Sequence, residues 1–282
     1  SRSRVLARSP TRPFLAQVFP NSSHAMSTSY HPPDVSETPD LAPTSSIPSS
    51  RPASPASAAA PTDRAILSLA PMMEVTDRHF RYLLRGLTAR TQLWTEMVVD
   101  ATVLHSSVLD RQLSFSPCEH PVVCQLGGSD PSSMASAAEV VQSYGYDEVN
   151  MNCGCPSDRV QAGCFGAALM LRPDAVRQVA HEMRRRVRIP VTVKCRLGAD
   201  DQDRYEHVAG FVEAVRAAGV RHVIVHARKC FLSGLNPKQN RTVPPLRYDW
   251  VYRLASDFPG MDFSLNGGVR TLREAEAVLE RR

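Results

Sequence analysis

The chain has 282 residues, 43% of them hydrophobic, enough for one large domain with a buried core and too few for two. Its net charge of +5 suits a polyanionic partner without demanding one. The seven cysteines, an odd number spread through apolar runs, exclude the disulfide framework of a small secreted scaffold and point to a reducing compartment. No stretch approaches the roughly 20 apolar residues that cross a bilayer, so a soluble protein with no membrane partner is expected.

Residues 1–62 differ from everything after them. Ser, Pro, Ala and Thr dominate, as in Pro32-Pro33, Ser45-Ser46 and Ser54-Pro55-Ala56, and such a stretch buries too little apolar surface to offset its ordering entropy. A disordered extension is expected. Before Asp34 it carries Arg2, Arg4, Arg8 and Arg12 and no acid, the composition of an organelle transit peptide. A chloroplast or mitochondrial location follows, with a plain tail on a cytoplasmic protein as the alternative. Met26 is the first methionine, so the natural start is expected upstream of Ser1.

From Ala65 short apolar runs alternate with helical stretches, the signature of repeated βα units. The first strand is expected over Ala65–Met72 and is followed by a helix over Asp77–Leu87 capped by Thr76. Further strands follow at Gln92–Met97, Val122–Gly127, Glu148–Asn152, Val191–Arg196, His222–Ala227 and Asp262–Asn266. Several consist mostly of β-branched or apolar residues, as buried parallel strands do. A helix over Asp203–Ala218 should end on Gly219, and Thr271 to Glu274 reads as a capping box opening the last helix. The alternation over residues 63–282 predicts an α/β fold of the TIM (β/α)8 barrel type. With seven strands found, the eighth is expected beyond Arg282, so the barrel is read as incomplete at its C-terminus.

Barrel active sites lie at the carboxyl ends of the strands, and here the strands turn polar at that end. Asn150 and Asn152 share one strand parity, as do Thr192, Lys194 and Arg196, then His226 and Arg228, then Ser264 and Asn266. Such groups inside apolar strands cost several kcal/mol each unless paired or in contact with a ligand. Any one of them alone reads equally well as a satisfied core residue, but four consecutive strands together describe a wet, cationic pocket. Asn266-Gly267-Gly268 adds backbone that can approach a phosphate closely. Cys155, in Asn152-Cys153-Gly154-Cys155-Pro156, stands on a loop leaving a strand, where an unperturbed thiol serves as a general acid. Cys153, Cys155 and Cys164 lack metal-site spacing, so no metal is expected. Cys118, Cys124, Cys195 and Cys230 are expected to be buried and inert.

From Ala70-Pro71-Met72 to Asn266-Gly267-Gly268 the chain resembles the tRNA-dihydrouridine synthases, most closely their bacterial A-type subfamily. The resemblance rests on Thr76-Asp77-Arg78, Thr95-Glu96-Met97, Gln125 to Pro131, the Cys155 segment, Val193 to Gly198, His226 to Lys229, and Leu232 to Arg241. It implies an FMN-dependent enzyme, driven by NADPH, that reduces uridine in the D-loop of tRNA at positions 20 and 20a. Cys155 would protonate C5 while hydride reaches C6 from flavin N5. Pro71, Met72, Gln125, Lys194, His226, Asn266, Gly267 and Gly268 would bind FMN, and Asn152, Lys238 and Arg241 would bind tRNA. A monomer is expected. The family's eighth strand, with a Gly-Arg completing the phosphate site, and its helical tRNA-binding domain are not found in the sequence, which leaves a non-catalytic RNA-binding relic as an alternative. A flavin barrel acting on a free pyrimidine is a second alternative, disfavoured by the basic Lys238 to Arg241 loop.

Overall fold

Residues 15–18 and 67–281 are described in the computed structural model. They fall in the unit formed by residues 1–20 and 63–282, and residues 21–62 lie outside the described residues. The disorder expected of residues 1–62 therefore falls mostly outside the description. Among the described residues eight strands form one parallel sheet: β1 Leu15–Val18, β2 Leu67–Leu69, β3 Leu93–Val99, β4 Val122–Gly127, β5 Glu148–Cys153, β6 Val191–Arg196, β7 His222–His226 and β8 Asp262–Asn266. Their order is β2-β1-β8-β7-β6-β5-β4-β3. A lone parallel bridge, Ser68 with Gln92, joins the two ends of that order, with Leu69 N donating to Gln92 O and Gln92 N to Leu67 O, both at 3.0 Å.

This is the α/β class expected from the sequence. Within the stretch expected to be disordered, Leu15–Val18 is instead a strand that pairs with both β8 and β2, between the last and first strands of the repeat; the strand expected beyond Arg282 lies outside the described residues.

Each strand from β4 to β8 has two unlike faces, because successive side chains point opposite ways. Val149, Met151 and Cys153 of β5 and Val193 and Cys195 of β6 join the large apolar core with the helices Pro131–Ser143, Pro173–Arg186 and Tyr205–Ala217. The alternate residues are buried on the inward face: Glu148, Asn150 and Asn152 on β5, then Thr192, Lys194 and Arg196 on β6. The apolar part of that face is a separate small cluster of Trp94, Val123 and Ile224.

Several boundaries differ from the sequence reading. β2 stops at Leu69 rather than Met72, because Pro71 has no N–H for a ladder; Ala65 and Ile66 lie outside the described residues. β3 runs two residues further than expected, to Val99. Helix α1 is Arg78–Leu87, and its cap is Asp77, not Thr76: Asp77 Oδ1 accepts from Phe80 N at 2.8 Å. The Thr76 hydroxyl is occupied by the preceding turn, donating to Met72 O at 3.1 Å and accepting from Met72 N at 3.0 Å. The helix Tyr205–Ala217 starts at Tyr205 instead of Asp203, whose carboxylate is held outside it by Lys229 at 3.1 Å and Arg247 at 2.9 Å. Gly219 follows that helix at φ 83°, and the capping box of Thr271 and Glu274 opens the helix Leu272–Glu280, both as expected.

A buried ion pair fastens α1 to the loop before β4. Arg81 Nε donates to Glu119 Oε2 at 2.7 Å and Arg81 Nη1 to Thr76 O at 2.8 Å, while Glu119 Oε1 accepts from Ser116 N at 2.7 Å. Both side chains are almost completely buried. Removing either partner leaves the other's charge uncompensated, a loss of about 3–5 kcal/mol. Glu119→Gln and Arg81→Met are each expected to lower the unfolding free energy by that order in urea titrations, and their combination by less than the sum. Unchanged midpoints in both single variants would show that the pair does not support the fold.

Candidate active site

The polar groups converge at the carboxyl ends of five neighbouring strands. Gln125 on β4, Asn152 on β5, Lys194 and Arg196 on β6, His226 on β7 and Asn266 on β8 are all buried on the inward face. The parallel register sets Asn152 beside Lys194, Arg196 beside His226, and His226 beside Asn266. Lys194 Nζ donates to Asn266 Oδ1 at 3.2 Å. Arg196 donates from Nε to Gly154 O at 2.8 Å and from Nη1 to Asn240 O at 2.9 Å. It thereby ties the loop after β5 to the loop after β7.

Cys155 is half-buried on that first loop. Pro156 and Gly154 flank it, and Asn152 organises the turn by accepting Gly154 N and Cys155 N on its Oδ1 at 2.9 and 3.0 Å. Cys155 O accepts from Ala167 N at 2.9 Å, and Sγ lies 3.4 Å from Ser157 Oγ. The thiol is close enough to Lys194 and Arg196 to act on the charge of both. Cys153, two residues earlier, points instead into the apolar core, where burial pushes its thiol well above the usual range. This burial gives the extra cysteine a packing role. Cys124, Cys195 and Cys230 are buried as expected, but Cys118 is exposed, because it sits in the short turn Pro117–Glu119 whose inward residue is Glu119.

The site is electrostatically positive. Burial, and then the neighbouring Arg196, lowers Lys194 to about 7. His226 is held well below its ordinary value by burial and by Arg196, Lys194, Arg228 and Arg241, so its imidazole is neutral. None of the ion pairs among the described residues involves Lys194, Arg196 or Arg228. Gly267 and Gly268 leave β8 at φ 106° and 77°, a region that disfavours other residues, and a Cβ on Gly267 would stand 2.6 Å from His226 Cδ2.

The remaining expected residues lie on loops at the same end. Pro71 and Met72 follow β2, half-buried, and Lys238 and Arg241 stand exposed on the loop after β7. Asn240, between those two, is buried and anchors the loop by donating to Phe231 O and Leu235 O at 2.9 and 3.0 Å. Among the described residues no hydrogen bond joins Pro71, Met72 or Lys238 to the Lys194 cluster. No group of three or more metal-ligating side chains occurs among the described residues, and none of their helices is long and apolar enough to cross a membrane. A recess of about 490 Å³ between Gly219 and Met261 lies at the opposite, amino-terminal ends of β7 and β8 and contains none of these groups.

One buried participant was not singled out from the sequence. Glu148 opens β5 and accepts from Thr192 Oγ1 at 2.6 Å and from Gln92 Nε2 at 3.3 Å. Burial pushes its carboxyl up to about 7, against those two hydrogen bonds, which favour the charged form. Its signal was the parity already seen at Asn150 and Asn152, extended by two residues.

A sequence profile of the family described as Dihydrouridine synthase (Dus) matches residues 68–282. The tRNA-dihydrouridine(20/20a) synthase of Synechocystis sp. is 56% identical over 215 residues, 76% of this chain and 64% of that protein. That of Xanthomonas axonopodis pv. citri is 52% identical over 214 residues, again 76% and 64%. The Escherichia coli K12 enzyme is 50% identical over 214 residues, 76% of this chain and 61% of its own length. The chain thus spans somewhat less than two thirds of the relatives it matches.

Lys194 provides a test of the site's desolvation. Folded, it is protonated only below about 7, against 10.5 for an ordinary lysine. Between those values the unfolded chain binds more protons, so this lysine adds stability as pH rises and withdraws it as pH falls toward 7. Relative to Lys194→Met, the unmodified protein is expected to gain up to about 1.4 kcal/mol per pH unit across that range. Paired urea titrations near its two ends measure this difference. Parallel curves would mean that the ammonium is hydrated.

Proposed function

This chain belongs to the dihydrouridine synthase family, and from that membership we propose that it reduces uridine to 5,6-dihydrouridine in tRNA, at the positions 20 and 20a carried in its relatives' names. One observation carries the reading. A half-buried cysteine stands on a turn fastened by Asn152 and Arg196, beside buried cations that no carboxylate neutralises.

Those residues fit FMN, whose phosphate is anionic and whose ring has a polar edge. Lys194 has donors beyond the one used by Asn266, and Arg228 has a buried Nε with no hydrogen-bond partner. When bound, FMN supplies to C6 of the uracil the hydride it has received from NADPH. In this reading Gln125 and Lys194 hold the polar edge of the ring while Pro71 and Met72 lie against it. Neutral His226 and the Asn266-Gly267-Gly268 turn hold the chain and phosphate. Cys155 Sγ gives its proton to C5, completing a net transfer of one hydride and one proton, and solvent returns the proton to sulfur.

Asn152 orients the base with what its structural bonds leave over. Its Oδ1 is engaged by two backbone N–H groups and one amide hydrogen by Gln125 Oε1 at 2.9 Å, so one N–H remains for the uracil. The uridine leaves its stacked neighbours to reach this depth. Exposed Lys238 and Arg241 take the flanking phosphates, the contacts that fix register without reading sequence. The arginines of the first 33 residues, with no acid among them, support an organelle as the site of action.

Full-length protein is expected to be yellow and to form dihydrouridine in tRNA with consumption of NADPH; colourless protein without such turnover would overturn the proposal. Cys155→Ala should slow base reduction by about 10²–10⁴-fold while leaving flavin content and NADPH oxidation by the flavin unchanged. Equal loss in both half-reactions would remove Cys155 from the proton-donor role. Lys238→Ala with Arg241→Ala should raise KM for tRNA and reduce the salt dependence of binding by about two counterions. An unaltered salt slope would place the tRNA elsewhere.

A further inference from the structure

The inward face of β4, β5 and β6 contains an unbroken series of side-chain hydrogen bonds. It starts at the Cys155 turn, where Gly154 N and Cys155 N donate to Asn152 Oδ1 at 2.9 and 3.0 Å. Asn152 Nδ2 donates to Gln125 Oε1 at 2.9 Å, and Gln125 Nε2 to Asn150 Oδ1 at 2.8 Å. Asn150 Nδ2 donates to Thr192 Oγ1 at 2.9 Å, and Thr192 Oγ1 to Glu148 Oε1 at 2.6 Å. All five side chains are buried. The series crosses between strands four times and runs from the carboxyl end of β5 to its first residue.

Every bond in it points the same way. At one end are backbone N–H groups, which only donate, and at the other the Glu148 carboxyl, which only accepts once it is ionised, above about 7. Between them each amide has one donating and one accepting end. Turning any one of them over would set like atoms of buried polar groups against each other, where the low dielectric makes such a mismatch costly. The two ends therefore decide how all three amides lie, including the two that face the flavin and the base in the proposed reaction.

We propose that Glu148 is a positioning residue for the Cys155 turn, acting at a distance through Thr192, Asn150, Gln125 and Asn152. The acid terminates the series and so fixes which way Asn152 presents its oxygen to the turn and its remaining N–H to the uracil. Glu148 touches neither substrate nor cofactor. Its importance to the reaction rests on the dihydrouridine synthase reading, whereas its hold on the turn does not.

The test uses full-length protein. Glu148→Met removes the accepting end, Thr192→Val cuts the series in the middle, and Glu148→Gln restores one accepting oxygen. Amide hydrogen exchange, measured without ligand, should show Gly154 and Cys155 exchanging about tenfold faster in Glu148→Met and Thr192→Val, with β5 amides on the apolar side unchanged and Glu148→Gln intermediate. Base reduction should slow by about tenfold in the same two variants, as when a supporting hydrogen bond to a reactive group is lost. FMN affinity, which the series reaches through Gln125, should weaken by no more than base reduction does, and flavin reduction by NADPH in flavin-saturated protein should stay as in the unmodified protein. The double variant should be no worse than either single one, because both cut one series. If Glu148→Met does not fold, Thr192→Val and Glu148→Gln decide the matter alone. Unchanged exchange at Gly154 and Cys155, or additive effects in the double variant, would overturn the proposal. Altered exchange in a protein that neither binds FMN nor forms dihydrouridine would uphold the series and overturn the enzymatic reading.

Discussion

Lys194 and Glu148 lie on the same water-poor face of the sheet, and desolvation acts on both with opposite sign, lowering the ammonium and raising the carboxyl, each to about 7. A buried polar group left unpaired costs about 1–3 kcal/mol, and a charge costs more. The interior therefore favours a partner for each such group, and most of what distinguishes this site follows from how it provides them. On the β4 to β6 side the partners are amides and a hydroxyl, linked end to end. On the β6 to β8 side they are mainly carbonyl oxygens.

That second choice keeps the site positive. Arg196 is satisfied by the carbonyls of Gly154, Asn240 and Lys229, and Arg228 Nη1 by that of Pro244, while Arg228 Nε is left without a partner. A carbonyl accepts the hydrogen bond without cancelling the charge, whereas a carboxylate would do both. The cations consequently act on one another and on His226, and together they favour an anionic ligand at the strand ends. The same bonds brace the loops that carry Cys155 and Asn240, so one arginine sets both the field and the geometry.

Much of this was legible in the sequence because strand parity is local. Asn150, Asn152, Lys194, Arg196, His226, Ser264 and Asn266 all lie on the inward face, as their i, i+2 spacing requires. The capping box at Thr271 and the turn at Gly219 were readable for the same reason. Glu148 was passed over because an acid at the start of a strand looks like a solvated edge until Thr192 and Gln92 are placed against it. Thr76 and Asp77 are both good caps, and the choice between them fell to the Met72 turn, which engages the threonine. Cys118 lies in a mostly exposed turn, in which only Glu119 takes a buried position, beside Arg81.

By itself the sequence determined the class of fold, the parity of each strand and the residue types at the carboxyl ends, since these depend on spacings of a few residues. Tertiary structure decided which strands lie side by side and in what register, and hence that Asn152 meets Lys194 and that Lys194 reaches Asn266, 72 positions away. It also decided that Leu15–Val18 stands between β8 and β2, and that Glu148 and Cys155 are the ends of one hydrogen-bonded series. Pairings between distant segments arise only when burial removes the water that would otherwise satisfy each group separately.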